Sequence, residues 1–591
     1  MRRALALAGL LACVVALAAC GSSGDGGGSQ KGFSSGGVVK GKKGGTLTVL
    51  SNGDVDYIDP GAAYYQFSFI FDYAIQRPLF SYKPEDTTKA VPDFAASEPQ
   101  ISSDGKTVTI KVRQGVKFSQ PVNRAATSKD VKFALERGFN STVANGYAPS
   151  YFATVEGVDA AKKKADGSPI SGFQTPDDQT LVIKLTKPTA ATVIGALSLP
   201  LSAPVPKEYA QKFDKQNPSQ YGQNQVATGP YMVQNNAAGK ATGYQPGKQI
   251  TFVRNPNWDA ATDYRPAYLD KIVLQEGNTD ATSAARRILA GQSLVNGQAD
   301  FNIPPQILKQ LSQAKGDKRK QLVVGGNTGR VRYISLNNTI KPFNDINVRK
   351  AIAASMNREF LRQPLGGPLA GDIPTHYISP GILGFEQAGG FDGPGVDFLK
   401  NPKGDADLAA QYMKKAGYSS GKYDGGGTFL MVADNSGPTA QSAQIAKDQL
   451  EKLGFKITLR PVTHDTMYTK FCNVPKQKVP ICPSTGWQKD FPDPVSVLVP
   501  TFNGNAIVTV NNSNWPQLNV KSINDAMDKA EELTDEQDRA KTWGDIDKQI
   551  TDQSPAIPWL WDKTTGIEST NVNGVINKFN ASWDLSFTSL K

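Results

Sequence analysis

The sequence predicts a multidomain α/β protein, on three observations. Its 591 residues exceed the usual domain of ~100 to 200 residues several-fold, so the core must be divided among two or three bodies. The stretch "DGKTVTIKVRQGVKFS" (residues 104–119) alternates Val108, Ile110 and Val112 with polar neighbours, the period of a half-buried strand. From residue 428 the apolar run "TFLMV", a helical pattern over 439–453 and a second alternating run form a βαβ unit, and therefore a parallel sheet with covered faces.

Each element has a local reason. "GGTLTVL" (residues 44–50) opens the folded body as a short apolar strand after two glycines. Thr127-Ser128-Lys129-Asp130 has the spacing of a capping box, and Val131, Ala134 and Leu135 follow at helical intervals, so a helix starts near 128. In the βαβ unit Ala446, Leu450 and Leu453 share one helical face, Gly454 stops the helix, and Phe455, Ile457 and Leu459 alternate in the next strand. Thr228-Gly229-Pro230-Tyr231 reads as a tight turn into a strand, and Pro342-Phe343 with Val348, Ala351 and Ile352 as the start of a helix with a buried face.

Composition and charge exclude several classes. With 39% hydrophobic and 20% charged residues the chain has an ordinary globular balance. Of the formal charge of +11, two units come from Arg2 and Arg3 and three from residues 21–45, leaving +6 on the remainder. No basic run with interleaved aromatics occurs there, so no nucleic-acid partner is expected. Two histidines and the absence of H-E-x-x-H leave little material for a hydrolase, although a carboxylate pair of the glycosidase kind is not excluded among 54 acidic residues. The one G-x-S-x-G match, Gly32 to Gly36, lacks the strand and helix that a nucleophile elbow needs. Asp54, Asp56 and Asp59 begin like a calcium loop, but Asp59 stands where Gly belongs and Tyr65 where Glu belongs, so no metal or other cofactor is expected.

The N-terminus carries a targeting signal. Arg2 and Arg3 precede the apolar stretch Ala4 to Ala19, which at 16 residues is short for a membrane span of ~20 and suits a signal peptide over 1–19. Leu17-Ala18-Ala19-Cys20-Gly21 resembles the lipobox of bacterial lipoproteins, which implies lipid on Cys20; the alternative is a plain secretory signal with Cys20 incidental. Residues 20–44, rich in Gly, Ser and Lys, read as a flexible tether. Of four cysteines, Cys472 and Cys482 then remain for the mature body, and in an extracytoplasmic protein they read as a disulfide; free thiols or half of a metal site are the alternatives.

Several stretches together carry a family resemblance. "VPDFAASEPQISSDGKTVTIKVRQGVKFS" (residues 91–119) and "SKDVKFALER" (128–137) are followed in order by "VATGPYMV" (226–233), "FVRNPNW" (252–258) and "VNGQADF" (295–301). "YISLNNTIKPFNDINVRKAIAASMNR" (333–358), Ala416-Gly417-Tyr418 and "SPAIPWLW" (554–561) complete the series. This order resembles family 5 of the bacterial extracellular solute-binding proteins, the peptide-binding lipoproteins of ABC importers, over about residues 44–591. "SQPVNRAATSKD" (119–130) departs from the Asp-Gly turn usual in the family, which affects that turn and not the fold.

The resemblance implies a periplasmic-binding-protein-like fold (type II, large cluster), with a two-lobed cleft and an extra inserted domain. Domain I would comprise residues 45–84, 204–305 and 552–591, domain II residues 85–203, and domain III residues 306–551, with hinge crossings near 305 and 552. It also implies a protein that is not an enzyme, a monomer held by its lipid at the outer face of the cell membrane. Its partners would be a short peptide and an ABC permease with its ATPase subunits.

One stretch remains, "GWQKDFPDPVSVL" (residues 486–498). Pro492 and Pro494 argue for an extended loop, on which Asp490 caps a turn or pairs with a surface lysine if read from the bare sequence. The family resemblance gives it a different role. Trp487, Asp490 and Phe491 match a Trp-x-x-Asp-aromatic element in which the carboxylate pairs with the peptide's α-ammonium group and the rings wall the adjoining pocket. Asp493 matches a second acid with a mainly structural role. No lysine or arginine lies in a motif that would assign the ligand's other end.

Overall fold

The computed structural model describes residues 32–591 except 53, 54, 88 and 510. The signal peptide, the lipobox with Cys20, Cys13, the first part of the expected tether and Asp54 lie outside the described residues.

Three sheets carry the architecture. In the first, Thr46–Ser51 lies between Lys271–Gln275 and Gly297–Asp300, parallel to both, with Val49 opposite Leu274 and Gln298. Gln249–Arg254 and Tyr231–Val233 extend this sheet antiparallel. Leu47, Val49, Ile272 and Leu274 are buried, so the middle strands are apolar because both faces are covered. The second sheet belongs to the inserted domain, in the order Gln100–Ile101, Thr107–Lys111, Thr180–Lys184 and Phe173–Asp177. Val108 and Ile110 point inward as their alternation predicts. The helix Ser128–Arg137 follows a capping box in which Thr127 N–H donates to Asp130 at 2.8 Å, and it buries Val131, Ala134 and Leu135 against this sheet.

The third sheet runs Gly371–Asp372, Ala556–Ile567, Leu322–Leu336, Ile481–Gln488, Phe429–Asp434, Ile457–Val462. Its βαβ unit is the one read from the sequence: Phe429–Asp434 and Ile457–Val462 pair in parallel, Met431 opposite Leu459, around the helix Gly437–Lys452. Gly454 stops that helix at φ 102°.

Two features differ from the sequence reading. The boundary expected at 552 places the strand Ala556–Ile567 in domain I, whereas it pairs with Leu322–Leu336 inside the third sheet. These two long strands are themselves the crossing: Leu322 and Ile567 pack in the cluster of Leu50 and Ala299, while Ile334, Leu336, Ile557 and Leu560 pack in the cluster of the βαβ unit. Residues 32–44, expected as free tether, lie on the body. Ser34 exchanges hydrogen bonds with the strand at 322–324 (3.2 and 2.8 Å), Gly44 N–H donates to Tyr268 at 2.8 Å, and the Phe33 ring packs beneath the Arg319 guanidinium, 4.2 Å from its centroid. One aromatic ring and a few backbone pairings suffice to dock a glycine-rich chain that composition alone reads as free.

Candidate functional site

The strand Ile481–Gln488 delivers Trp487, Lys489 and Asp490 to the place where the three sheets meet. It runs parallel to Phe429–Asp434 with Ile481 opposite Met431, so its C-terminal end extends past the end of that neighbour. Ligands in open α/β sheets bind at such strand ends.

The proline-rich segment differs from the extended loop expected for it. Only residues 489–494 are irregular; Pro494 is the N-cap of the helix Val495–Phe502. Proline is tolerated at a helix start, where its missing N–H has no partner to lose. Asp493 fixes that start: its Oδ1 accepts from Val495 N–H at 3.0 Å and its Oδ2 from Arg539 at 2.7 Å.

Asp490 is nearly buried, with 6% of its surface exposed. Its Oδ2 accepts a hydrogen bond from the Tyr151 hydroxyl of the inserted domain, and no ion pair among the described residues involves it. Burial pushes its pKa up to about 7, against the opposing pull of the Tyr151 hydrogen bond. The neighbouring Lys489 is buried too, its ammonium donating to the carbonyls of Thr328 (2.7 Å) and Phe579 (2.9 Å), and burial brings its pKa down to about 7.

Aromatic rings enclose the carboxylate. Tyr64 and Tyr147 stack at 4.8 Å, Tyr147 and Tyr151 at 6.1 Å, and Tyr151 meets Phe491 edge-on at 5.0 Å. Burial first, and then the charge of Asp490, raises the pKa of Tyr64, Tyr147 and Tyr151, so all three stay protonated. Phe491 is buried against Gly195 of the inserted domain, where an added Cβ would stand 2.5 Å from the ring, so glycine is what lets the domains approach. Trp487 is half-buried, its indole N–H donating to Ser496 O at 2.8 Å, with Trp515 at 6.1 Å.

A clip braces this group. Cys472 and Cys482 are joined by a disulfide that ties the turn Met467–Cys472 to the site strand. Tyr468 on that turn packs against Trp515 at 5.4 Å. Among the described residues no group of three His, Cys, Asp or Glu is placed to hold a metal ion. His376 pairs with Asp547 (2.8 Å) and His464 with Asp434 (2.7 Å).

Sequence reasoning reached Asp490, Trp487 and Phe491 but not the tyrosines. Tyr147 and Tyr151 sit in "GYAPSYF" (residues 146–152), which has no motif; its two tyrosines four apart, on one face of a turn, were the available signal.

An inserted domain and two lobes meeting at an enclosed polar group define a binding protein rather than a scaffold. The chain belongs to family 5 of the bacterial extracellular solute-binding proteins, whose middle-region profile matches residues 89–508. Among curated relatives, heme-binding protein A of Haemophilus influenzae is 25% identical over 78% of this chain and 77% of its own length. Di/tripeptide-binding protein 3 of Pseudomonas aeruginosa is 25% identical over 80% and 81%. The glutathione-binding protein GsiB of Salmonella paratyphi A is 24% identical over 83% and 84%. Solved structures share the fold: the clavulanic acid biosynthesis oligopeptide binding protein 2 superposes with a TM-score of 0.79 at 24% identity, covering 94% of this chain and 97% of that one. The periplasmic binding protein DppA from Helicobacter pylori in complex with peptide STSA gives 0.71 at 20% identity, covering 93% and 98%. The chain is thus a solute-binding protein of the periplasmic-binding-protein-like type II fold, of the family that serves ABC transporters.

Proposed function

We propose that the protein captures short peptides at the seam between its lobes and hands them to an ABC permease without altering them. The observation that carries this reading is Asp490: a carboxylate enclosed by aromatic rings, with a tyrosine hydroxyl as its hydrogen-bond donor. A buried carboxylate without a cation costs several kcal/mol. A ligand ammonium group supplies that cation through a charge-assisted hydrogen bond of ~2.7 to 2.9 Å, and the tyrosine faces around it add cation–π attraction. Trp487 and Phe491 would wall the pocket for the first side chain.

Capture follows from closure. The paired strands Leu322–Leu336 and Ala556–Ile567 cross between the bodies, and a ligand bridging the lobes favours the closed state by the difference in its affinity for the two states. We assign the protein to the outer face of the cell membrane, held as a monomer by lipid on Cys20, with the permease and its ATPase subunits as partners. No helix of the described residues is long and apolar enough to cross a membrane.

The relative named for heme favours testing a second reading, a non-peptide solute in the same seam. Calorimetry with free and Nα-acetylated peptides separates the two. Free peptides should bind at least ~30-fold more tightly, the size expected for removing one partner of a buried charge pair; equal affinity would sink the role of Asp490.

A further inference from the structure

The positive charge of the body is not spread over it. Residues 309–320, "KQLSQAKGDKRK", hold five lysines and arginines against Asp317, a net +4 of the +6 that remains beyond residue 45. They form one helical knuckle, the end of the helix Pro305–Gln313 followed by the single turn Asp317–Lys320. The Arg319 guanidinium ties the two together, donating to Ser312 O at 3.1 Å. Ile307, Leu308 and Leu311 bury the apolar side in the cluster of Leu50 and Leu322, so Lys309, Lys315, Lys318 and Lys320 stand in solvent.

The neighbouring helix adds to this charge. Gln306 donates to the Thr282 hydroxyl at 2.8 Å, and Arg286, one turn on from Thr282 in the helix Ala281–Ala290, is exposed on the same side. Among the described residues these cations make a single ion pair, Lys320 with Asp317 at 3.1 Å, both exposed. Like charges crowded on a helix surface destabilise it, so the fold itself gains nothing from the cluster.

The docked N-terminal segment begins at the same place. Phe33 packs against the knuckle's own cluster beneath the Arg319 guanidinium, and Ser34 pairs with Leu322 and Val324, just past Lys320. Gly32 stands twelve positions after Cys20, and that length of chain reaches at most ~40 Å. A lipid on Cys20 therefore keeps this corner of the body near the bilayer.

We propose that the knuckle is a membrane-docking surface that lies against anionic lipid headgroups, so that the anchored body takes one orientation on the bilayer. The assignment rests on the lipid anchor proposed above. Each lysine or arginine close to an anionic bilayer strengthens association about fivefold, and the attraction fades within a Debye length of ~8 to 10 Å. The orientation bears on delivery. The strand Leu322–Leu336 leaves the knuckle, and Gly329, whose carbonyl accepts from Lys489 N–H at 3.1 Å, marks the level of the seam. The strand's rise per residue holds that level within ~23 Å of Leu322, so the captured solute is presented near the membrane.

The test uses the full protein extracted from membranes with its anchor and reconstituted on vesicles of phosphatidylcholine, alone or mixed with anionic phosphatidylglycerol. Floated vesicles are treated with a water-soluble amine-acylating reagent, and each lysine is quantified by mass spectrometry. Lys309, Lys315 and Lys318 should react at least ~5-fold more slowly on the mixed vesicles than on neutral ones. Lys521 should react alike on both: its side chain is 87% exposed, and it follows Pro516, which meets Asn338 beyond the far end of the same strand. Salt at about 1 M, where the Debye length is ~3 Å, should erase the protection. The triple variant Lys315→Gln, Lys318→Gln, Lys320→Gln should lose the protection of Lys309 and keep the wild-type melting temperature, which certifies its fold. Floating protein whose three lysines react alike on both vesicles would overturn the docking surface and leave the anchor standing. Protection that survives high salt or the triple variant would overturn it equally. Protein that floats with anionic vesicles alone would overturn the anchor and leave the surface standing; protein that floats with neither would overturn both.

Discussion

Buried acids are handled in opposite ways at two seams of the molecule. Where the inserted domain meets the first lobe, Arg137 donates to both oxygens of Asp59 (2.7 and 2.6 Å) and to both of Asp214 (2.7 and 2.8 Å). One guanidinium neutralises much of two carboxylates, and Tyr221 stacks under it at 4.8 Å. Where the inserted domain meets the third sheet, Asp490 has a tyrosine hydroxyl instead. The first arrangement is complete without a ligand and fastens domains together. The second is stable only with a raised pKa, which leaves it with an affinity for any cation that fits.

The largest test of this contrast is Arg137→Leu. It leaves two buried carboxylates uncompensated and should cost about 3 to 5 kcal/mol in urea unfolding; a loss below ~1 kcal/mol would mean that water reaches the seam and that the two regions do not differ as described. Asp490→Asn should do the reverse to the ligand-free protein. Because the folded-state pKa is raised, the cost of ionising Asp490 is absent below about pH 4, grows up to pH 7 and is complete above it. The substitution should therefore stabilise the empty protein by up to ~4 kcal/mol at pH 8 and not at all at pH 4, at 1.4 kcal/mol per unit, while free peptides bind at least ~30-fold more weakly. A destabilised Asp490→Asn at pH 8 would show that the carboxylate is compensated after all.

Removing the clip sharpens the comparison from the side of rigidity. Replacing Cys472 and Cys482 by serine should lower stability by about 2 to 3 kcal/mol, with a further loss of peptide affinity because the strand bearing Asp490 loses its brace; unchanged affinity would place the brace outside the site. Affinity for an ammonium ligand should fall about tenfold per unit as pH drops below 7, since the proton and the ligand compete for one carboxylate; acetylated peptides should show no such slope. The smallest effect is expected for Tyr151→Phe. Losing one hydrogen bond of ~1 kcal/mol should raise the Asp490 pKa further and move the midpoint of the pH profile upward.

Much of this was legible in the chain because it is local. The helix start at Thr127, the βαβ unit around Gly437–Lys452 and the half-buried strand Thr107–Lys111 follow from capping, stop signals and periodicity within a dozen residues. Trp487, Asp490 and Phe491 were singled out only by the family resemblance, since the bare sequence reads Asp490 as a turn cap or a partner of a surface lysine. The partner of Asp490 was not: Tyr151 lies 339 positions away, in a stretch with no pattern of its own. The helix after Pro494 was missed because proline was read as a breaker, whereas burial of Val495, Val497 and Leu498 against the core rewards helix at the one end where proline is harmless.

The sequence by itself determined the elements, the α/β class and the chemistry offered by single residues, since these depend on neighbours along the chain. Only the tertiary structure decided which residues meet. It joined Cys472 to Cys482, placed Tyr151 on Asp490, and laid residues 32–44 on the body. Whether a charge is satisfied depends on what stands within a few ångströms of it, and packing between distant segments fixes that distance.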